Sequence, residues 1–94
     1  MEIKHHKESE GGTFYAEVNG KRQAEMTYTL KANDTVDIYH THVDEALQGE
    51  GVGYKLVAAA VQFLRQNNLK AEASCSYAAH VFKKNREDYA DVLV

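Results

Sequence analysis

From Thr13 to Val18 the apolar positions Phe14, Ala16 and Val18 alternate with their neighbours, the period of a strand with one buried face. Asn19-Gly20 follows, and both positions tolerate positive φ, so the pair predicts a two-residue hairpin loop. The return run, roughly Gln23 to Lys31, sets Ala24, Met26, Tyr28 and Leu30 on one face. Before it, Glu2 to His6 reads as a short first strand that ends in the polar turn Ser9-Glu10-Gly11-Gly12. After it, Ala32-Asn33-Asp34 turns the chain into Thr35 to Val43, β-branched and aromatic enough for a central strand. The first half is an antiparallel meander.

The period then changes. Leu56, Val57, Ala60, Val61 and Leu64 recur at helical spacing, with Lys55, Gln62, Arg65 and Gln66 outward, and Asn67-Asn68 ends the helix. Ala71 to Cys75 predicts a short strand, and Tyr77 to Lys84 a second helix with Ala78, Val81 and Phe82 inward. The crossover from Asp44 to Ser74 makes the strands ending at Val43 and Cys75 parallel neighbours. The predicted fold is α+β, an α/β sandwich on a mixed sheet, with residues 1–94 as a single domain.

Composition narrows this picture by exclusion. Ninety-four residues supply one modest core, and a formal charge of −3 without a basic face argues against nucleic acid as a partner. No apolar run reaches membrane-spanning length, which argues against a membrane partner. One cysteine cannot form an internal disulfide, which suits a reducing cytoplasm. With no proline, the turns rely on Gly, Asn and Asp.

The segment between the two periods carries the chemistry. Gln48-Gly49-Glu50-Gly51-Val52-Gly53 joins a strand to a helix through three alternate glycines. Such a turn leaves backbone N–H groups free at the positive end of a helix dipole, a geometry that binds phosphate. A dinucleotide fingerprint needs glycine where Tyr54 stands and an acidic end to the next strand, which ends instead in Cys75. A Walker A loop needs Gly-Lys-Ser/Thr, whereas Lys55 lies between Tyr54 and Leu56. Glu50 would repel a pyrophosphate, so its side chain is expected to point to solvent.

What remains is the pattern Gln/Arg-x-x-Gly-x-Gly/Ala, which resembles the acyl-coenzyme A signature of the GNAT N-acyltransferase superfamily. His40-Thr41-x-Val43, the loop, the Ala/Val-rich helix, Leu69-Lys70-Ala71, Cys75-Ser76-Tyr77 and Lys83-Lys84-Asn85 are together similar to a compact GNAT-like family. The resemblance covers most of residues 35–90, with a compatible meander before it. It implies acetyl-CoA as co-substrate, held by Val43, Gln48, Gly49, Glu50, Gly51, Val52, Gly53 and Tyr54, with the pantetheine arm beside the Thr41–Asp44 segment.

Amide formation from a thioester needs a neutral amine, a stabilised oxyanion and a proton for the departing thiolate. His40 and His42 share one side of their strand and Thr41 the other; the resemblance singles out His40 as a base, against a hydrogen-bonded structural histidine. His-x-His also suits a metal, but no third ligand follows at useful spacing, and no metal is expected. Glu45 is a further base candidate. Cys75 matches a cysteine of the resembled family and is either an acyl-accepting nucleophile or part of the thiol pocket, where the helix start at Ser76-Tyr77 would lower its pKa. Where GNAT enzymes often carry an acid tyrosine this chain has Phe82, leaving Tyr77 and Tyr89 as substitutes, Tyr77 fitting Cys-x-Tyr. Two functions follow from the resemblance: an N-acyltransferase acting on a small-molecule or protein amine, or a non-catalytic acyl-CoA-binding or sensor module. A monomer or weak homodimer is expected of either.

Overall fold

The computed structural model describes residues 1–94. Four antiparallel strands open the chain: β1 (Lys4–Glu8), β2 (Gly11–Val18), β3 (Lys21–Lys31) and β4 (Thr35–Val43). Helix α1 (Val52–Gln66) crosses to β5 (Lys70–Ala73), which pairs parallel to β4, and α2 (Ser76–Lys84) follows. The sheet order is β1-β2-β3-β4-β5. The α+β class and the mixed sheet are therefore as expected. No helix is long and apolar enough to cross a membrane.

Local sequence explains most of the boundaries. Asn19 (φ 54°) and Gly20 (φ 76°) both take left-handed backbone, so β2 turns into β3 through the anticipated two-residue loop. Asn68 (φ 54°) ends α1 in the same conformation, and the Leu69 amide donates back to the Leu64 carbonyl at 2.9 Å, closing a Schellman-type cap. Helix α1 lays Leu56, Val57, Ala60, Val61 and Leu64, none more than 3% exposed, over Phe14, Ala16, Ala24, Met26, Val36 and Ile38 of the sheet. Ala78, Val81 and Phe82 of α2 complete the same core. Fully burying one such Leu or Val stabilises the fold by about 1.5–3 kcal/mol before its entropic cost. The helices cover one face of the sheet, and the other carries polar side chains such as Thr13, Glu25, Thr27 and Asp37.

Three expectations need correction. The first strand lies at Lys4–Glu8 rather than Glu2–His6, because Gly11 and Gly12 join β2 and pair with Glu8 and Lys7. Leu30 is 43% exposed, since β2 begins at Gly11 opposite Thr29 and leaves Leu30 without a β2 partner on that side. Cys75 is not in the strand: β5 ends at Ala73, and Cys75 is the N-cap residue of α2. The remaining chain also has structure that its pattern did not announce. A four-residue helix, α3 (Arg86–Tyr89), leads to a turn that buries Val92, and Leu93 bridges to Ala71 in parallel. Arg65 on α1 fastens this segment through Asp91 at 2.8 Å.

One irregularity decides which way the site residues point. Thr27 pairs with His40 but Tyr28 pairs with Ile38, so Tyr39 is an extra residue in β4. Before this bulge the even positions, Val36 and Ile38, face the core. After it the odd positions Thr41 and Val43 lie opposite the buried Met26 and Ala24, while His40 and His42 turn to the open face.

Candidate functional site

Pairing of β4 with β5 stops at Ile38 and Ala73, with one further bond from the Cys75 amide to the Ile38 carbonyl at 3.1 Å. The Asp37 carboxylate causes the stop. It accepts from the Ser74 amide at 2.8 Å and the Ser74 hydroxyl at 2.7 Å, turning the chain off the sheet into α2. Residues 41–43 of β4 therefore run on with no strand on their outer side. The Asp44 amide donates to the Gln23 carbonyl at 2.8 Å, toward β3. By the alternation of an antiparallel ladder, the N–H and C=O groups of Val43 and Thr41 point the other way, into the gap.

The glycine loop closes one end of this gap. After a single 3-10 turn (Glu45–Leu47) anchored by buried Leu47, Gly49 (φ 84°) and Gly51 (φ 72°) take left-handed backbone that a side chain would strain. Gly51 is the N-cap of α1, and the first intrahelical bond runs from the Lys55 amide to its carbonyl at 3.1 Å. The amides of the first turn, Val52 to Tyr54, have no partner within the helix. No acidic residue lies in that turn, so an anion meets the dipole without opposition there. Glu50 is exposed and lies outside the cavity wall, as expected of its side chain. Gly53 has a different reason to be glycine: a Cβ there would overlap the hydroxyl of Tyr77.

Loop, strand and α2 together border an open cavity of about 640 Å³. Of the residues singled out in the sequence, His42, Val43, Gln48, Gly49, Gly51, Val52, Gly53, Tyr54 and Tyr77 border it. The Gln48 amide also donates to the Val43 carbonyl at 3.4 Å, so the loop touches the strand it serves. A phosphate-bearing chain fits this donor set: amides at one end, a free strand edge along the side.

The three residues considered for catalysis occupy different places. Tyr77 stands in the cavity, its phenol held above the usual range by burial and then by nearby Tyr54. Cys75 lies beside the cavity, half-buried, its Sγ 3.4 Å from Thr41 Oγ1. Burial alone would push this thiol up, but the Thr41 hydroxyl and the amides of Ala78, Tyr77 and Thr41 outweigh it, and the thiol sits below its ordinary value. His40 does not join them. It stands on the open face with its side chain 48% exposed, 3.1 Å from Glu25. His42 engages Asp44 at 2.8 Å. Glu45 is exposed. Tyr89 packs edge-on against buried Phe82, centroids 6.2 Å apart, away from the cavity.

Thr41 belongs to the His40-Thr41-x-Val43 motif, but the sequence assigned its side chain no role. It borders the cavity and touches Cys75. Only the pairing register across the bulge turns it there, and no residue type in the sequence marks that register.

Comparison with known proteins shows the family and the fold. A sequence profile described as GCN5-related N-acetyl-transferase matches residues 13–92. The curated relative Protein NATD1 of Xenopus tropicalis is 34% identical over 73 residues, which is 77% of this chain and 67% of that protein. The chain spans about two thirds of the length of the curated relatives it matches. Among solved structures, a GCN5-like protein from Staphylococcus aureus superimposes with a TM-score of 0.76 at 41% identity, covering 99% of this chain and 87% of that one. A Bacillus anthracis chain solved in complex with acetyl coenzyme A has the same fold, with a TM-score of 0.65 at 20% identity over 83% of this chain and 47% of that one.

Proposed function

This chain belongs to the GCN5-related N-acetyltransferase family, and on that premise we propose that it transfers an acyl group, acetyl above all, from coenzyme A to an amine. The observation that carries the proposal is the continuity of the cavity, which joins the unpaired amides of the α1 first turn to the free edge of β4. Gln48, Gly49, Gly51, Val52, Gly53 and Tyr54 hold the pyrophosphate, and the backbone of Val43 and Thr41 pairs with the pantetheine amides. Glu50 contributes backbone only.

Cys75 is the nucleophile in this reading. Its sulfur forms a bond to the acyl carbon as the carbon–sulfur bond to coenzyme A breaks, and Tyr77, in the same cavity, protonates the departing thiolate. The amine then takes the acyl group from Cys75, the Cys75 thiolate is restored, and solvent returns to Tyr77 the proton it gave up. His40, oriented by Glu25 on the open face and outside the cavity, takes the proton of the incoming amine through water.

Acetyl-CoA titrated into the protein should shift the backbone amide signals of residues 41–43 and 49–54. No shift anywhere would remove the family ligand from this chain. Intact mass after incubation with acetyl-CoA alone should show one acetyl adduct that Cys75→Ala lacks. An adduct that survives Cys75→Ala would remove the nucleophile, leaving direct transfer. Saturable binding with no adduct, and no thiol release over a panel of amines, would make the chain an acyl-CoA-binding module instead.

A further inference from the structure

We infer that Thr41 is a positioning residue for Cys75, its hydroxyl holding the sulfur at the margin of the cleft and donating to the thiolate. The inference rests on the reading of Cys75 as nucleophile, and it adds the group that makes the sulfur ready. The two atoms are 3.4 Å apart across the gap between β4 and the start of α2. Without the extra residue Tyr39, strict alternation would turn Thr41 to the open face and aim His40 at the core; the bulge reverses the two.

The chemistry favours threonine at this place. A hydroxyl accepts from a neutral thiol and donates to a thiolate, so the contact survives ionisation of the sulfur. Donation to the charged form is the stronger of the two and favours the thiolate. The Thr41 amide adds to it from the same strand, and the first-turn amides of Tyr77 and Ala78 add from α2 without closing a capping hydrogen bond. His80, Lys83 and Lys84 of α2 are exposed and make no bond to the sulfur, and the groups nearer it are otherwise engaged. On β4, Asp37 is bonded to Ser74, His40 to Glu25 and His42 to Asp44. Tyr77 abuts Gly53, with Tyr54 beyond it, and Glu72 of β5 is paired with Lys31. Thr41 is thus the one side chain bonded to the sulfur.

Cys75 is the only cysteine of the chain, so alkylation by iodoacetamide reads one site. Its rate against pH, followed by intact mass, should have a midpoint about one pH unit higher in Thr41→Val than in the unaltered protein, or about tenfold slower reaction near neutrality. Thr41→Ser, which keeps the hydroxyl, should restore the original midpoint, and a general packing defect would not follow that pattern. An unchanged midpoint in Thr41→Val overturns the assignment, as does a Thr41→Ser midpoint shifted as far as that of Thr41→Val. If Thr41→Val does not fold, Thr41→Ala removes the same hydroxyl and is judged by the same midpoint. Alkylation uses no acyl-CoA. A midpoint that moves while acetyl-CoA leaves no adduct would keep the role of Thr41 and reject the acyl-accepting role of Cys75.

Discussion

The two ends of one sheet are finished in opposite ways. At the β1–β2 end the strands pair along their length and rings seal the helix-covered face. His5 stacks on Phe14 with centroids 4.0 Å apart, Phe63 of α1 meets His5 edge-on at 4.7 Å, and His5 Nε2 shares a 2.7 Å hydrogen bond with the Tyr28 hydroxyl. At the β4–β5 end pairing lasts four residues, and beyond it the Val43 amide and the first turn of α1 keep donors free. Unpaired backbone groups cost stability unless something meets them, so the open end depends on the closed end to hold the fold together. The lesson is a division of labour: ring packing keeps the sheet rigid at one edge, so that the other can stay incomplete for a ligand.

Phe14→Ala tests the closed end most severely. It empties a site 3% exposed, and the expected cost is about 3–5 kcal/mol, read as a fall in the urea midpoint. Acetyl-CoA affinity of the folded fraction should stay as it was. A parallel loss of affinity would mean that the two ends are not separable.

Gly51→Val should do the reverse. Its φ of 72° strains a β-branched residue by about 1–3 kcal/mol, which the loop can relieve only by moving the first-turn amides. Calorimetric titration should show acetyl-CoA binding weakened about tenfold or more, a loss larger than its effect on stability would suggest. Unaltered affinity would break the assignment of the loop to the pyrophosphate.

The smallest effect belongs to the His5 ring. Burial, then the nearby Lys7 and His6 charges, hold its imidazole below the usual value. The fold therefore favours neutral His5. Its contribution is present above about pH 6.5, the ordinary histidine value, and is lost as pH falls through the lower folded value. Urea midpoints at about pH 7.5 and about pH 5 should differ more in the unaltered protein than in His5→Phe. Equal differences would show that the ring cluster is not where acid acts on the closed end.

Some of this was legible in residues alone, and the reasons are local. Asn19-Gly20 and Asn68 carry their own backbone preference, so both turns stood where they were expected. The apolar stripe from Leu56 to Leu64 needs only its period to declare a buried helix face. The three glycines were legible as a loop, but not as two kinds of glycine. Gly49 and Gly51 answer to φ, whereas Gly53 answers to Tyr77, a residue distant in sequence. Residues 86–93 were missed because their anchors are elsewhere: Arg65 holds Asp91, and Ala71 receives Leu93.

By itself, then, the sequence determined the order of elements from β1 to α2, the glycine-rich turn that opens α1 and the family to which the chain belongs, because periodicity, turn chemistry and a glycine motif are written in neighbouring residues. The tertiary structure decided which side chain meets the Cys75 sulfur. One unpaired residue at Tyr39 reverses the facing of everything after it in β4, sending His40 to Glu25 on the open face and Thr41 to Cys75. A strand has a period of two, so a single bulge exchanges its faces, and the position of that bulge is fixed by pairing with β3 rather than by any residue of β4.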